Sequence, residues 1–186
     1  MAYFNLSLNN LKNRLRAFKP VLNQRALQVI ASEEDTIIQM ITEEQLFDRG
    51  EDGRGISIES YAPYALSTIK YKNRKNQPTD RVTLKDKGNF YKSLSLVLDE
   101  QGFYIWPDKE KSGEKSDYFY GKRDFLMGRY PYSVRLSDEN LKILLRDHVR
   151  PKLISIMRSW IINEGTPEDI RKFNKKYPKT SRAKRR

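Results

Sequence analysis

Leu8, Leu11, Leu15 and Phe18 recur at three- and four-residue spacing between Leu6 and Phe18, the repeat of an amphipathic helix. Pro20 is expected to end or bend it, with Lys12, Arg14, Arg16 and Lys19 on its outer face. A longer helical stretch runs from Val21 to Asp48 through Ala26, Leu27, Ile30, Ile37, Ile38, Ile41, Gln45 and Leu46. A break is expected near Ser32, where Ser32-Glu33-Glu34-Asp35 resembles a capping box, and Gly50 is placed to stop the helix. The run from Gly50 to Gly55 then reads as a turn, and Ile56 to Ser60 alternates apolar and polar residues as a short strand does.

Farther along, Pro63 suits the first turn of a helix carrying Tyr64, Thr68 and Tyr71, with a basic end at Lys70, Lys72, Arg74 and Lys75. Lys85 to Asn89 reads as a turn in which Gly88 is the residue free to take a left-handed conformation. The strongest strand signal follows. Leu94, Leu96 and Leu98 alternate with Ser93, Ser95 and Val97, and a turn at Asp99 to Gly102 leads into Phe103-Tyr104-Ile105-Trp106-Pro107. A hairpin this short needs a covering layer, expected from one or both early helices. Asp108 to Asp117 mixes charges around Gly113 and reads as an exposed excursion able to serve as a contact loop.

Tyr118, Phe119, Tyr120, Phe125, Tyr130 and Tyr132 crowd a stretch punctuated by Gly121, Gly128 and Pro131. They fit either a connector whose rings fill gaps over the sheet or a subunit interface, where such side chains are enriched. Ser137 is a helix cap with acids in the following turn, and Leu141, Leu144, Leu145, Val149, Leu153, Ile156, Met157, Trp160 and Ile161 continue a stripe that Pro151 should kink or divide. Gly165 can close that helix, and Thr166-Pro167-Glu168-Asp169 has the composition of a cap for a final one. The expected fold is α+β: a small antiparallel sheet with a central hairpin packed against N-terminal and C-terminal helices. Residues 1–170 are read as a single domain and residues 171–186 as a basic arm.

Composition narrows the chemistry. The 186 residues include no Cys and one His, which excludes disulfides, thiolate metal ligands and a cysteine nucleophile and leaves His148 without a second histidine for a metal site. No apolar run reaches membrane-spanning length, and the N-terminal residues lack the apolar segment of a signal peptide. The formal charge is +12, yet Arg171, Lys172, Lys175, Lys176, Lys179, Arg182, Lys184, Arg185 and Arg186 supply nine positive charges with no acid among them. The preceding residues hold 27 basic against 24 acidic side chains, a nearly balanced body at +3. Pro178 to Arg186 has little to bury and is expected to be mobile in isolation. Such an arm suits phosphates, an acidic face of a neighbouring protein, or solvent.

No catalytic constellation emerges. His148 sits within Arg146-Asp147-His148, a charged part of the predicted helix, and reads as a surface or partly buried helical histidine. Gly50, Gly53 and Gly55 lack the spacing and the terminal Lys-Ser/Thr of a phosphate loop. Asp80, Asp86, Asp99 and Glu100 lie near strand ends without the convergent spacing of a Mg²⁺-dependent nuclease. The expectation is therefore a protein that is not an enzyme and uses no metal or cofactor.

Three segments carry a resemblance: Gln45-Leu46-Phe47 with the Gly50–Gly55 run, Tyr61-Ala62-Pro63-Tyr64, and Gln77 to Ser93 with its core of Thr83, Leu84, Asp86, Gly88 and Phe90. Across about Glu43 to Trp106, with a looser echo in Ser137 to Ile161, the chain resembles small structural or morphogenesis proteins of tailed phages and prophages of Bacteroidetes hosts. Lys87 and Asn89 stand where that pattern has Thr and Asp, and Asn89 keeps the turn. The resemblance implies a virion protein of the neck, a head–tail connector or tail-completion component. It implies a homo-oligomeric ring contacting portal, neck or tail proteins, found in the virion and in host cytoplasm during assembly, with no membrane partner. The arm would then reach DNA or an acidic partner. A capsid-associated DNA-binding or packaging accessory is the second reading, and a cellular nucleic-acid-binding module the third.

Overall fold

The structure is a computed structural model that describes residues 8–99 and 102–164. Its fold is α+β, mostly helical, with one two-stranded antiparallel sheet. Among the described residues the backbone gathers into two compact units, 31–145, and 8–30 with 146–164. The predicted helix at Pro167, the stop at Gly165 and the basic arm lie outside the described residues.

In the unit formed by the two ends, helix α1 spans Leu8–Ala31 and passes through Pro20 without a break, correcting the expected stop. Proline inside a helix costs about 3 kcal/mol. Burial on both sides of it offsets that cost, because Phe18 and Val21 pack with Trp160, flanked by Ala17, Ile156 and Met157. The Phe18 and Trp160 ring centres lie 5.7 Å apart, tilted by 48°. This packing also rotates the buried stripe away from the predicted one, so Leu15 is exposed while Arg14 turns partly inward. The Arg14 guanidinium donates to the carbonyls of Ile161 and, at 3.0 Å, Ile162, and its own carbonyl accepts from Trp160 Nε1 at 3.3 Å. A fixed cation on the last carbonyls of a helix satisfies their lone pairs and complements the dipole. Those carbonyls end a stretch made of α8, Arg150–Ser159, and a π-helical turn at Trp160–Glu164. Pro151 falls in the first turn of α8, just after a π-helical segment at Leu144–Val149, and helical turns continue through it without a break, so the division expected there is absent.

The larger unit opens with the turn at Ser32 and Glu33, followed by α2 at Glu34–Gln39, so the expected break is present. The cap is Glu33, whose side chain makes no cap hydrogen bond to the helix. From α2 the chain widens into π-helical turns over Met40–Arg49 and stops at Gly50 with φ of 64°, the left-handed conformation anticipated for that glycine. Ile56 to Ser60 is a correction: instead of a strand there is a single bridge between Glu51 and Ser57 and a 3₁₀ turn at Ile58–Ser60. Asp52 draws the chain inward there, accepting from the backbone N–H groups of Arg54 at 2.8 Å and Ile56 at 3.3 Å, which a straight strand does not allow. Helix α3 is Leu66–Arg74, beginning three residues after Pro63.

Gly88, at φ of 82°, caps the short α4, Asn89–Ser93, which feeds directly into β1, Leu94–Leu98. β1 pairs antiparallel with β2, Phe103–Pro107, in the register Leu96 to Ile105, so the predicted hairpin forms. β1 packs on α2, and the N–H of Leu96 donates to Glu34 at 3.3 Å. The expected excursion at 108–117 instead holds α5, Lys109–Ser112, capped by the Asp108 carboxylate accepting from Glu110 N at 2.8 Å. The aromatic stretch is a second revision, because Ser116–Arg129 is a regular helix, α6. Its glycines, Gly121 and Gly128, have nothing within 4 Å of where a side chain would begin and so sit on the open side. Last comes α7, Asp138–Ile143, with the Ser137 hydroxyl accepting from Asn140 N as its cap.

Trp160 fills the centre of its unit's core. Trp160→Ala is expected to cost about 3–5 kcal/mol, read as a lower denaturation midpoint with unchanged slope; a loss under about 1 kcal/mol would show that the Phe18–Trp160 contact does not hold α1 in place.

Candidate functional site

The motif singled out by resemblance proves to be an internal clasp. Thr83 is buried, and its backbone N–H, with that of Leu84, donates to the Tyr64 hydroxyl at 3.0 and 3.1 Å. Leu84 holds φ of 54°, a conformation rare outside glycine, which these two bonds and that of Tyr91 to the Thr83 carbonyl keep in place. Beneath the clasp the buried Lys72 ammonium donates to the Lys85 carbonyl at 2.7 Å, to Gln77 at 3.3 Å and to Thr83 Oγ1 at 3.5 Å, with the Tyr64 ring centre 5.0 Å away. Asp86 accepts from Lys75 at 2.8 Å and from the Tyr71 hydroxyl at 3.2 Å, and the Lys75 bond holds its carboxyl below the ordinary range. Phe90 is buried. Thr83, Leu84, Asp86, Gly88 and Phe90 therefore shape the join between α3 and the hairpin. Burial drives the Tyr91 hydroxyl far above its usual pKa, keeping it a donor.

A second polar centre fixes the loop at 50–61. The fully buried Asp52 carboxylate accepts from Arg54 Nε at 3.0 Å and from its terminal nitrogen at 2.7 Å, and from the Tyr61 hydroxyl at 3.0 Å. Burial pushes this carboxyl up, but its bonds from the Arg54 side chain, two backbone N–H groups and Tyr61 outweigh that and hold it below the ordinary range. Tyr61 is pushed up to about 12 by partial burial and by Asp52, and so remains a hydrogen-bond donor to it. The Arg54 guanidinium lies 4.1 Å from the Tyr132 ring centre, and Gly53 N donates to the Tyr132 carbonyl at 2.8 Å. A Cβ at Gly53 would stand 2.4 Å from that of Arg135, so this approach admits only glycine.

The six aromatic interface candidates divide. Phe119 and Tyr130 are buried in the interior, and Tyr132 is half-buried against Arg54. Tyr118, Tyr120 and Phe125 are exposed, with Tyr118 at 63% and Phe125 at 62%. Helix geometry accounts for the split: Phe119 and Tyr130 lie on the inward side of α6 and its exit, whereas Tyr118 and Phe125, seven residues apart, share another side. β2 adds to the exposed group, since alternation buries Ile105 and turns Tyr104 and Trp106 outward. Arg123 links the two elements, its guanidinium 4.9 Å from the Tyr120 ring centre and 5.8 Å from that of Trp106. It is held by Asp124 at 2.6 Å. The result is a surface stack of Tyr120, Arg123 and Trp106, with Tyr104 beside it on β2.

Comparison with protein-family models, with curated proteins and with solved structures finds no match. The stack must therefore be weighed on its own chemistry. Aromatic and Arg side chains dominate the energetics of protein contacts, and exposed rings already arranged around a guanidinium need little ordering to bind. Trp106, Tyr104 and Arg123 were not among the sequence candidates, although the period-2 alternation of 103–107 and the three-residue step from Tyr120 to Arg123 both mark them. Among the described residues no three acidic or histidine side chains converge as metal ligands. Asp80 pairs with Arg81, Asp86 with Lys75, and His148 is half-buried in the π-helical segment after α7. The nine basic residues of 171–186 and Glu100 lie outside the described residues.

Because the Asp52 carboxyl is depressed in the folded chain, its contribution is present above an unfolded pKa of about 4 and disappears as pH falls through its folded value. Asp52→Asn is expected to lower stability by about 1–3 kcal/mol at neutral pH, and the gap from the parent should close as urea melts are repeated from pH 5 to pH 2; a gap independent of pH would contradict this role.

Proposed function

We propose that this chain is an assembly component that works by docking, and that the assembly is the neck of a tailed-phage virion, as head–tail connector or tail-completion protein. The observation that carries the docking role is the exposed stack of Tyr120, Arg123 and Trp106. Support for the neck as the place comes from the resemblance of residues 43–106, whose motif residues build the clasp that joins α3 to the hairpin. In this reading the clasp keeps the hairpin in place and the β2–α6 face meets a second copy. Repetition of one such heterologous contact closes a ring when its rotation divides the circle. Portal, neck or tail proteins of the same virion would contact the faces of that ring. The function needs no reaction step, cofactor or metal.

The alternative, a capsid-associated DNA-binding or packaging accessory, draws on the positive charge of residues 171–186. Both are separated by a direct image of particles containing the chain: a closed ring between head and tail is expected, and density confined to the capsid interior, or a monomer absent from virions, would overturn the neck reading. Trp106→Ala with Tyr120→Ala should weaken self-association at least 30-fold, the effect of losing about 2 kcal/mol at a contact centre, as measured by sedimentation at a series of concentrations.

A further inference from the structure

The body of the chain is not evenly balanced. Residues 66–93 hold eight Lys and Arg against only Asp80 and Asp86, a charge of +6, whereas the remaining residues up to 170 hold 19 basic against 22 acidic side chains, or −3. Within this positive segment Lys75 is paired with Asp86 at 2.8 Å, Arg81 with Asp80 at 2.6 Å, and Lys85 with Glu43 at 3.1 Å. Lys72 donates only to neutral oxygens, while its charge acts through space on the Asp86 carboxylate. Lys70, Arg74 and Lys87 are exposed, and among the described residues none pairs with a carboxylate.

Lys70 and Arg74 lie on α3, and Lys87 follows Asp86, which is bonded to that helix. Lys70 and Arg74 are four residues apart on the outer side of α3, and Arg74 Nε donates to the Lys70 carbonyl at 3.4 Å. Tyr71 follows Lys70 on the helix, 38% exposed. Lys87 is brought alongside because its neighbour Asp86 is bonded to Tyr71 and Lys75, and Gln77 Nε2 donates to the Asp86 carbonyl at 2.9 Å. The dipole of α3 explains basic residues in its last turn, including Arg74. It explains neither Lys70, which precedes that turn, nor Lys87, which lies outside the helix.

We infer that the outer face of α3, with Lys87, is a binding surface for the phosphate backbone of duplex DNA, separate from the C-terminal arm. Lys70 and Arg74 are about 6 Å apart along the helix axis, close enough for both to meet phosphates of one DNA strand, which recur every ~3.4 Å along the duplex axis. Unpaired long cations suit that polyanion. A protein partner is the weaker fit, since protein interfaces are depleted in Lys. Nothing in this surface reads base edges, so the contact is independent of sequence. The inference does not rest on the neck reading.

The test uses the full chain and fluorescently labelled 30-base-pair duplexes of unrelated sequence, titrated across a salt series. The triple variant Lys70→Gln, Arg74→Gln, Lys87→Gln should bind every duplex more weakly, with the slope of log affinity against log salt shallower by roughly 2–3, the effect of losing about three phosphate contacts. The Lys70→Arg, Lys87→Arg variant should retain the parent slope. Unchanged melting temperature of both variants confirms that exposed charges alone were altered. A chain ending at Thr180 serves as comparison, and its loss should add to that of the triple variant. A triple variant with the parent's affinity and slope would overturn the inference, as would a parent chain with no affinity for DNA at low salt.

Discussion

The amide of Gln45 is the joint on which the larger unit depends. It is fully buried, and its Nε2 donates to the Arg135 carbonyl while its Oε1 accepts from Ser137 N, both at 2.9 Å. One side chain thus ties the π-helical Met40–Arg49 segment to a connector some ninety residues away. Its own carbonyl accepts from Glu51 N at 2.9 Å, so the turn after Gly50 is held by the same residue. Asn140 repeats the device next door, its Nδ2 donating to the Met40 carbonyl at 3.1 Å and its Oδ1 accepting from Arg49. Buried polar groups satisfied this completely specify one arrangement of the segments they bridge, since any slip leaves an amide unpaired in the interior.

That constraint reaches the surface. The connector fixed by Gln45 is the exit of α6, and Gly53, Arg54 and Tyr132 hold it from the other side. The entrance of α6 is held by Glu114, which accepts from Asn89 at 2.9 Å and Lys122 at 3.2 Å. Between these anchors α6 presents Tyr120 and Arg123 next to Trp106 on β2. β2 in turn is set by its register with β1, by the packing of α4 on it, and by the clasp at Thr83 that precedes α4. The interior polar network thus holds the exposed stack in one geometry, which is what a docking surface requires if binding is not to be offset by the cost of ordering it.

Much of this was legible in the chain. The Leu94, Leu96, Leu98 alternation marked the hairpin, Ser137 the cap of α7, and Gly50 and Gly88 two left-handed positions, one ending a helix and one beginning the next, because each signal is local and no distant contact opposes it. α6 was missed for a physical reason. Gly121 and Gly128 lower helix propensity, and the exposed aromatics blur the apolar stripe, so its helicity comes from its two anchors and not from its own pattern. The passage of α1 through Pro20 was hidden likewise, since the compensating contact is with Trp160, some 140 residues on. Among the site residues, the motif at 83–90 was found but its role was not, because only the folded chain shows Tyr64, Lys72 and Tyr91 converging on it. Among the aromatic candidates, the turn of the helix buries Phe119 and leaves Tyr118, Tyr120 and Phe125 exposed.

The central claim is that Trp106 and Tyr120 are exposed in the free chain and covered when it assembles. Hydroxyl-radical footprinting of the purified chain and of the assembled particle, read residue by residue by mass spectrometry, tests it most directly. Strong protection of Trp106 and Tyr120 on assembly, with Phe119 unreactive in both states, is the predicted result; equal labelling of Trp106 and Tyr120 in both states would contradict the account.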